Sequence, residues 1–188
     1  MSEIFITSDH HFLHGNIIKY CNRPFSDVTQ MTEVMIKIWN EHITKDDYVI
    51  HLGDLILGRR RERQYELAEE IIKNLNGRKY LILGNHDGFP KWFYREMGIP
   101  AMNYFHDGKF LFSHHQVVEE IKYPSKSVKR AKLYADKNHC KYVIHGHQHI
   151  DKKHKNHFNV CVDLHNFRPI NIKEIEDYFN GWKRSNNK

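Results

Sequence analysis

Short apolar runs alternate along this chain with longer amphipathic stretches, and the two spacings predict strands and helices in turn. Glu3 to Ser8 reads as a first strand, followed by a loop and a short apolar helix from Asn16 to Tyr20. Arg23-Pro24-Phe25 breaks that helix, because a proline disfavours helical geometry in the residue before it. From Thr29 to Ile43, the positions Met31, Val34, Met35, Ile38 and Trp39 form one apolar stripe at helical spacing, a core face. A strand at Tyr48–Leu52, a helix at Arg59–Leu75 stopped by Asn76-Gly77, and a strand at Lys79–Leu83 come next. A short helix is expected from Pro90 to Met97, then a hairpin of Ala101–His106 and Lys109–Ser113 around Asp107-Gly108. The remainder predicts a helix at Ser127–Asn138 and strands at Lys141–His145, Phe158–Asp163 and Phe167–Ile172. A closing helix at Lys173–Phe179 would be ended by Asn180-Gly181. The alternation indicates an α/β architecture, with the late strand-rich stretch forming a second sheet.

Five of the strand-like runs end in the same chemistry. Ile4–Thr7 leads to Asp9-His10-His11, Tyr48–Ile50 to Gly53-Asp54, and Tyr80–Leu83 to Gly84-Asn85-His86-Asp87. Phe110–Phe112 leads to His114-His115, and Tyr142–Ile144 to Gly146-His147-Gln148-His149. In open α/β sheets ligands collect beyond the carboxyl ends of strands. Five strand ends offering Asp, Asn and His are what one shared metal site requires.

Composition narrows the reading. A chain of 188 residues with 40% hydrophobic and 28% charged residues fits a single globular domain over residues 1–182, with a flexible basic tail at 183–188. No apolar run reaches 18 residues, so no membrane span is expected. The start, Met1-Ser2-Glu3, has no basic leader, which points to a cytoplasmic protein. Cys21, Cys140 and Cys161 form no C-x-x-C pair and read as reduced thiols. A net charge of +6 suits an anionic partner as well as mere solubility. Of the 16 histidines, five are assigned to chemistry: His11, His86, His114, His147 and His149. His10, His51 and His145 are expected to hydrogen-bond behind them.

Oxygen and nitrogen donors without thiolate suit Mn²⁺, Fe, Zn²⁺, Ni²⁺ or Co²⁺. Two such ions about 3.5–4 Å apart stabilise both the attacking and the leaving oxygen of an in-line displacement at phosphorus. The order D-x-H, G-D, G-N-H-D, H and G-H-x-H, from Asp9 to His149, resembles the calcineurin-like metallophosphoesterase superfamily. The resemblance implies a four-layer α/β/β/α sandwich of two mixed β-sheets, with two divalent ions at the strand ends, Mn²⁺ foremost. On this resemblance Asp9, His11 and His149 bind one metal, Asn85, His114 and His147 the other, and Asp54 bridges them. His114 is preferred to His115 because it lies nearer the strand end. His86 assists the leaving oxygen, and Asp87 orients His86.

The opening stretch Ser8 to Ile18, with Arg23-Pro24-Phe25, also resembles a narrower group of compact bacterial and bacteriophage-type phosphoesterases. There Asn16 and Arg23 would contact a phosphate oxygen; the alternatives are that Arg23 pairs with a carboxylate and Asn16 caps the following helix. The basic segments 59–63, 122–132 and 152–155 adjoin the motifs and would attract an anionic substrate. The implied function is a dimetal phosphoesterase, a phosphodiesterase in preference to a monoesterase, acting by direct attack of a metal-bridging hydroxide. Its partners would be a phosphate ester, nucleotide or nucleic acid, and no membrane. A nuclease of the same superfamily and a non-catalytic interaction scaffold are the alternatives.

Overall fold

The computed structural model describes residues 2–58, 62–117, 126–152 and 154–186. Among the described residues nine strands form two mixed sheets. The first has the order β4-β3-β2-β1-β9, with β1 Ile4–Thr7, β2 Tyr48–His51, β3 Arg78–Ile82, β4 Ala101–Met102 and β9 Ile170–Asn171. Its first four strands run parallel, and β9 lies antiparallel against β1. The second has the order β5-β6-β7-β8, with β5 Tyr104–His106, β6 Phe110–Ser113, β7 Tyr142–His145 and β8 His157–Asn159. Here only β5 is antiparallel to its neighbour.

Alternation along the strands sets the layers, because successive side chains face opposite sides of a sheet. Phe5, Val49 and Leu81 pack outward against Met31, Met35 and Trp39 of α2 (Val28–His42), Ala68, Ile71 and Ile72 of α3 (Glu62–Asn74), and Phe93 and Tyr94 of α4 (Lys91–Glu96). Ile6, Leu52 and Ile82 face inward onto Phe110, Phe112, Tyr142 and Ile144 of the second sheet. Ile175 and Phe179 of α6 (Ile172–Asn186) close this central core. On the far side Leu111 and Val143 meet Ala135 of α5 (Lys126–Lys137). The result is the expected four-layer α/β/β/α sandwich. The remaining helix, α1 (Asn16–Tyr20), lies in the first cross-connection.

Several elements differ from their expected form. Ala101–His106 is not one strand: the chain leaves the first sheet after Met102 and enters the second at Tyr104, so β4 and β5 serve different sheets. The hairpin turn is shifted by one residue. Register pairs His106 with Leu111, and Asp107 N–H donates to Phe110 O at 3.3 Å, leaving Gly108-Lys109 at its centre. Gly108 has φ +93°, the geometry of a turn with glycine first. The Asp107 carboxylate accepts from the amides of Lys109 and Phe110, which favours this register. Phe158–Asp163 holds only the short β8, followed by a 3₁₀ turn at Val162–Leu164. The closing helix runs through Gly181 to Asn186, into the segment expected to be a tail. The expected start of α3 at Arg59–Arg61 lies outside the described residues, as does the segment 118–125 before α5.

Candidate metal centre

All five motifs converge at one end of the two sheets. The backbone there is unusual: Asp9, His11, Asp54 and His147 all have positive φ, between 54° and 66°. Non-glycine residues seldom adopt this left-handed geometry, and its clustering is a mark of functional sites. After β1, β2 and β7 the chain leaves the sheet through these left-handed residues, at the strand ends where the motifs lie.

Asp54 lies at the centre. Its Oδ1 accepts the His86 amide at 2.8 Å, which fixes the carboxylate and leaves Oδ2 free of that bond. Oδ2 stands 3.5 Å from His11 Nε2 on one side and 3.5 Å from His114 Nε2 on the other. His114 donates from Nδ1 to Leu52 O at 2.8 Å, presenting the Nε2 lone pair to Asp54 and to Asn85 Oδ1, 3.0 Å away. The His147 ring lies 5.0 Å from that of His114. His115 also borders this side, 4.4 Å from His147 ring to ring, but His114 is the one that faces Asp54 and Asn85. On the other side Asp9 Oδ2 accepts from Ser8 Oγ and from the His147 amide. His149 Nε2 stands 4.0 Å from Asp9 Oδ1.

Two atoms test whether cations fit this arrangement. Asp9 Oδ1 and His11 Nε2 are buried and have no hydrogen-bond partner, a costly state for polar groups that a cation between them would relieve. Asp9, His11 and Asp54 place their donor atoms within 4.8 Å of one another, as do His114, His115 and His147. The donors are oxygen and imidazole nitrogen, the set suited to Mn²⁺, Fe, Zn²⁺, Co²⁺ or Ni²⁺. Space is also reserved: a Cβ on Gly84 would collide with the Asp54 carboxylate, and one on Gly146 with Ser8 and the Asp9 carboxylate. The residues fit two divalent ions.

The electrostatics of these residues show the same crowding. Burial drives His11 far below the ordinary histidine value, with the charge of His149 adding to it. Burial raises the Asp54 carboxyl and Asp9 raises it further, against the pull of His114. The Cys161 thiol lies 3.5 Å from His149 Nδ1, but burial pushes it well above its usual value, so it is a protonated neighbour rather than a thiolate ligand.

Three expected contacts are placed differently. Arg23 does not face the site. Its side chain is fully buried and is committed to Asp163 through Nε and Nη2, both at 2.8 Å, and to the carbonyls of His10 and Asp9. It therefore pairs with a carboxylate and has no donor directed at substrate. Asn16 is exposed on the first turn of α1, which has no side-chain cap. Asp87 does not reach the His86 ring. Its carboxylate accepts from the amides of Asp54, Gly84 and Leu55, at 2.8, 2.8 and 2.9 Å, and so ties the second motif to the third. Burial and the charge of Asp54 raise the Asp87 carboxyl to about 6.

Sequence reasoning missed two residues. Asp163 accepts from His149 Nδ1 at 2.6 Å while it holds Arg23, so an Arg23–Asp163–His149 chain, buried at its Arg23 end, backs one of the expected ligands. Burial alone would depress His149, but this bond and the charge of Asp9 leave it above its ordinary value. His14, three residues past His11, stands 3.3 Å from it nitrogen to nitrogen and 5.6 Å from the His86 ring. Its place in the stretch Ser8 to Ile18 was the available signal. His10 and His51 hydrogen-bond each other at 2.9 Å under Trp39, and burial lowers His10 to about 3, so that pair is neutral packing.

Comparison with known proteins agrees with the geometry. The family profile described as calcineurin-like phosphoesterase matches residues 2–110. The uncharacterized protein MJ1445 of Methanocaldococcus jannaschii is 35% identical over 184 residues, covering 93% of this chain and 90% of that protein. The gene 66 protein of Mycobacterium phage L5 is 38% identical over 88 residues, 47% of this chain and 41% of its own. The crystal structure of the protein of unknown function AQ665 from Aquifex aeolicus superimposes with a TM-score of 0.76 at 27% identity, covering 95% of this chain and all of that one. The profile and the full-length relative together place this chain in the calcineurin-like phosphoesterase family.

Proposed function

We propose that the protein is a two-metal phosphodiesterase. The observation that carries this reading is Asp54 Oδ2, equidistant at 3.5 Å from His11 on one side and His114 on the other, with unpartnered Asp9 Oδ1 and His11 Nε2 beside it. Asp9, His11 and His149 would hold one ion and Asn85, His114 and His147 the other, with Asp54 shared. When bound, such a pair of cations supplies a water of low pKa and neutralises charge on the phosphoryl oxygens.

The chain's own residues do the rest. The Asn85 amide, next to His114, is placed to hold a phosphoryl oxygen as charge develops on it. The His86 ring sits 5.2 Å from His11 at the half-buried rim, where an ester's leaving oxygen would emerge. As the oxygen of water bonds to phosphorus and the ester P–O bond breaks, His86 gives its proton to the leaving oxygen. Asp87 keeps the Asp54 and Gly84 loops in register throughout. A diester is favoured because the site is open, with Asn85 and His147 exposed, which leaves room for a second ester group on the phosphorus.

The test is hydrolysis of bis-p-nitrophenyl phosphate against p-nitrophenyl phosphate by metal-stripped protein refilled with Mn²⁺. We expect metal-dependent cleavage with the diester preferred, and a loss of about 10²- to 10⁴-fold in kcat for His86→Ala. Preference for the monoester would overturn the diesterase assignment. No cleavage by folded protein carrying two ions would overturn the enzyme assignment altogether.

A further inference from the structure

A cavity of about 390 Å³ opens directly beside the metal centre. Asn85, His114 and His115 form its metal-facing wall. Tyr104 and Asn103, where the chain crosses between the sheets, and Arg130 of α5 also line it. Nothing in the two-metal chemistry uses these three residues.

Its composition is specific. Arg130 is exposed, and among the described residues it enters no ion pair. The guanidinium fork matches phosphate geometry and keeps its charge at any working pH. It stands on a helix that carries Lys126, Lys129, Arg130, Lys132 and Lys137 against the single acid Asp136. Lys132 is spoken for by Asp136 at 3.5 Å. The buried face of α5, Val128, Ala131 and Ala135, packs on the second sheet, so Ala131 and its neighbour Arg130 are carried to the cavity by a fixed element. Beside them Tyr104, its ring 4.4 Å from that of Tyr134, gives an aromatic wall held in place by a second ring.

We propose that this cavity is a subsite for a second phosphate group, bound by Arg130, on a nucleotide-type ester whose base lies along Tyr104. The proposal rests on the phosphodiesterase reading and names its substrate class. A centre built to hold one phosphoryl group, with an arginine lining an adjoining cavity, selects an ester with a further phosphate next to the scissile one. Either a 5′-phosphorylated nucleic-acid strand or a dinucleotide joined through pyrophosphate presents that chemistry.

Binding is measured with turnover suppressed, by titrating the Mn²⁺-loaded full-length His86→Ala chain with TpT, with pTpT and with a pyrophosphate-linked dithymidine. That chain should bind at least one two-phosphate ligand about tenfold more tightly than TpT, a gain of the size expected for one charge-assisted contact. Arg130→Ala should lose that gain, and Arg130→Lys should keep part of it. Unchanged thermal unfolding of both variants excludes a folding defect. The ligand that shows the gain identifies the source of the second phosphate. Equal affinity for all three ligands, or a gain that survives in Arg130→Ala, overturns the subsite. The phosphodiesterase reading fails separately, if bis-p-nitrophenyl phosphate is not cleaved by the Mn²⁺-loaded wild type.

Discussion

Asp163 joins two groups that the sequence keeps far apart, the buried Arg23 and the half-buried His149. A carboxylate that accepts the second nitrogen of a ligand histidine fixes its tautomer and its ring orientation. Asp163→Asn should therefore weaken Mn²⁺ binding about 10- to 100-fold, read by titration calorimetry. Unaltered affinity in a folded variant would show that the contact does not position His149. Removing Arg23 leaves the Asp163 charge buried without its main partner and two loop carbonyls without donors. Arg23→Ala should cost about 3–5 kcal/mol in urea unfolding, whereas an exposed phosphate-binding arginine would cost next to nothing. The roles of Arg23 and Asp163 were not legible in the sequence, since neither lies at a strand end in a ligand motif and their partnership spans 140 residues. Asp9, His11 and Asp54 could be named as candidates because each follows a recognisable apolar run.

At the level of elements, periodicity located the strands and helices, and non-local contacts decided where they began and stopped. The stripe Met31, Met35 and Trp39 of α2 is buried as its spacing required, and the helix begins one residue early because Asp27 caps the amides of Thr29 and Gln30. Ala101–His106 has the composition of one strand, but its two halves pair with different sheets, information held by β3 and β6 rather than by the segment itself. Gly181 does not stop α6 because Trp182 extends the face of Ile175 and Phe179, with Lys155 over its ring at 5.5 Å. A Cβ at Gly181 would meet nothing within 4 Å. Gly181→Ala should consequently raise stability by about 0.5–1 kcal/mol, measured by urea unfolding; a loss would mean that the helix breaks there after all.

The turn into β2 gives the pH dependence its sign. Burial would raise the Asp47 carboxyl, but hydrogen bonds from the Glu3 amide and from the amide and hydroxyl of Thr44 hold it below the ordinary 3.8. A depressed carboxyl stabilises the fold fully above its unfolded value and loses that contribution as pH falls through the folded one. Stability should fall below about pH 4 in the wild type, and Asp47→Asn should flatten that slope while lowering stability at neutral pH by about 1–3 kcal/mol. An identical acid slope in both proteins would contradict this account of the turn.

Across the whole molecule, both sheets end at one site, and the proposed ligands come from residues 9 to 149, so the site exists only when the sandwich is assembled. Cations that bind the folded chain alone must stabilise it by mass action. At a hundredfold excess over the dissociation constant this amounts to about 2.7 kcal/mol for each ion, or roughly 5–10 °C in Tm for a domain of this size. Chelation should lower the Tm by at least that much. The central claim is that Asp54 joins two ions in one centre, and the most direct measurement is Mn²⁺ stoichiometry with electron paramagnetic resonance of the loaded chain. The account predicts two ions per chain with spin-coupled spectra, and loss of the coupling in Asp54→Ala. A single ion per folded chain, or two uncoupled ions indifferent to Asp54→Ala, would contradict it.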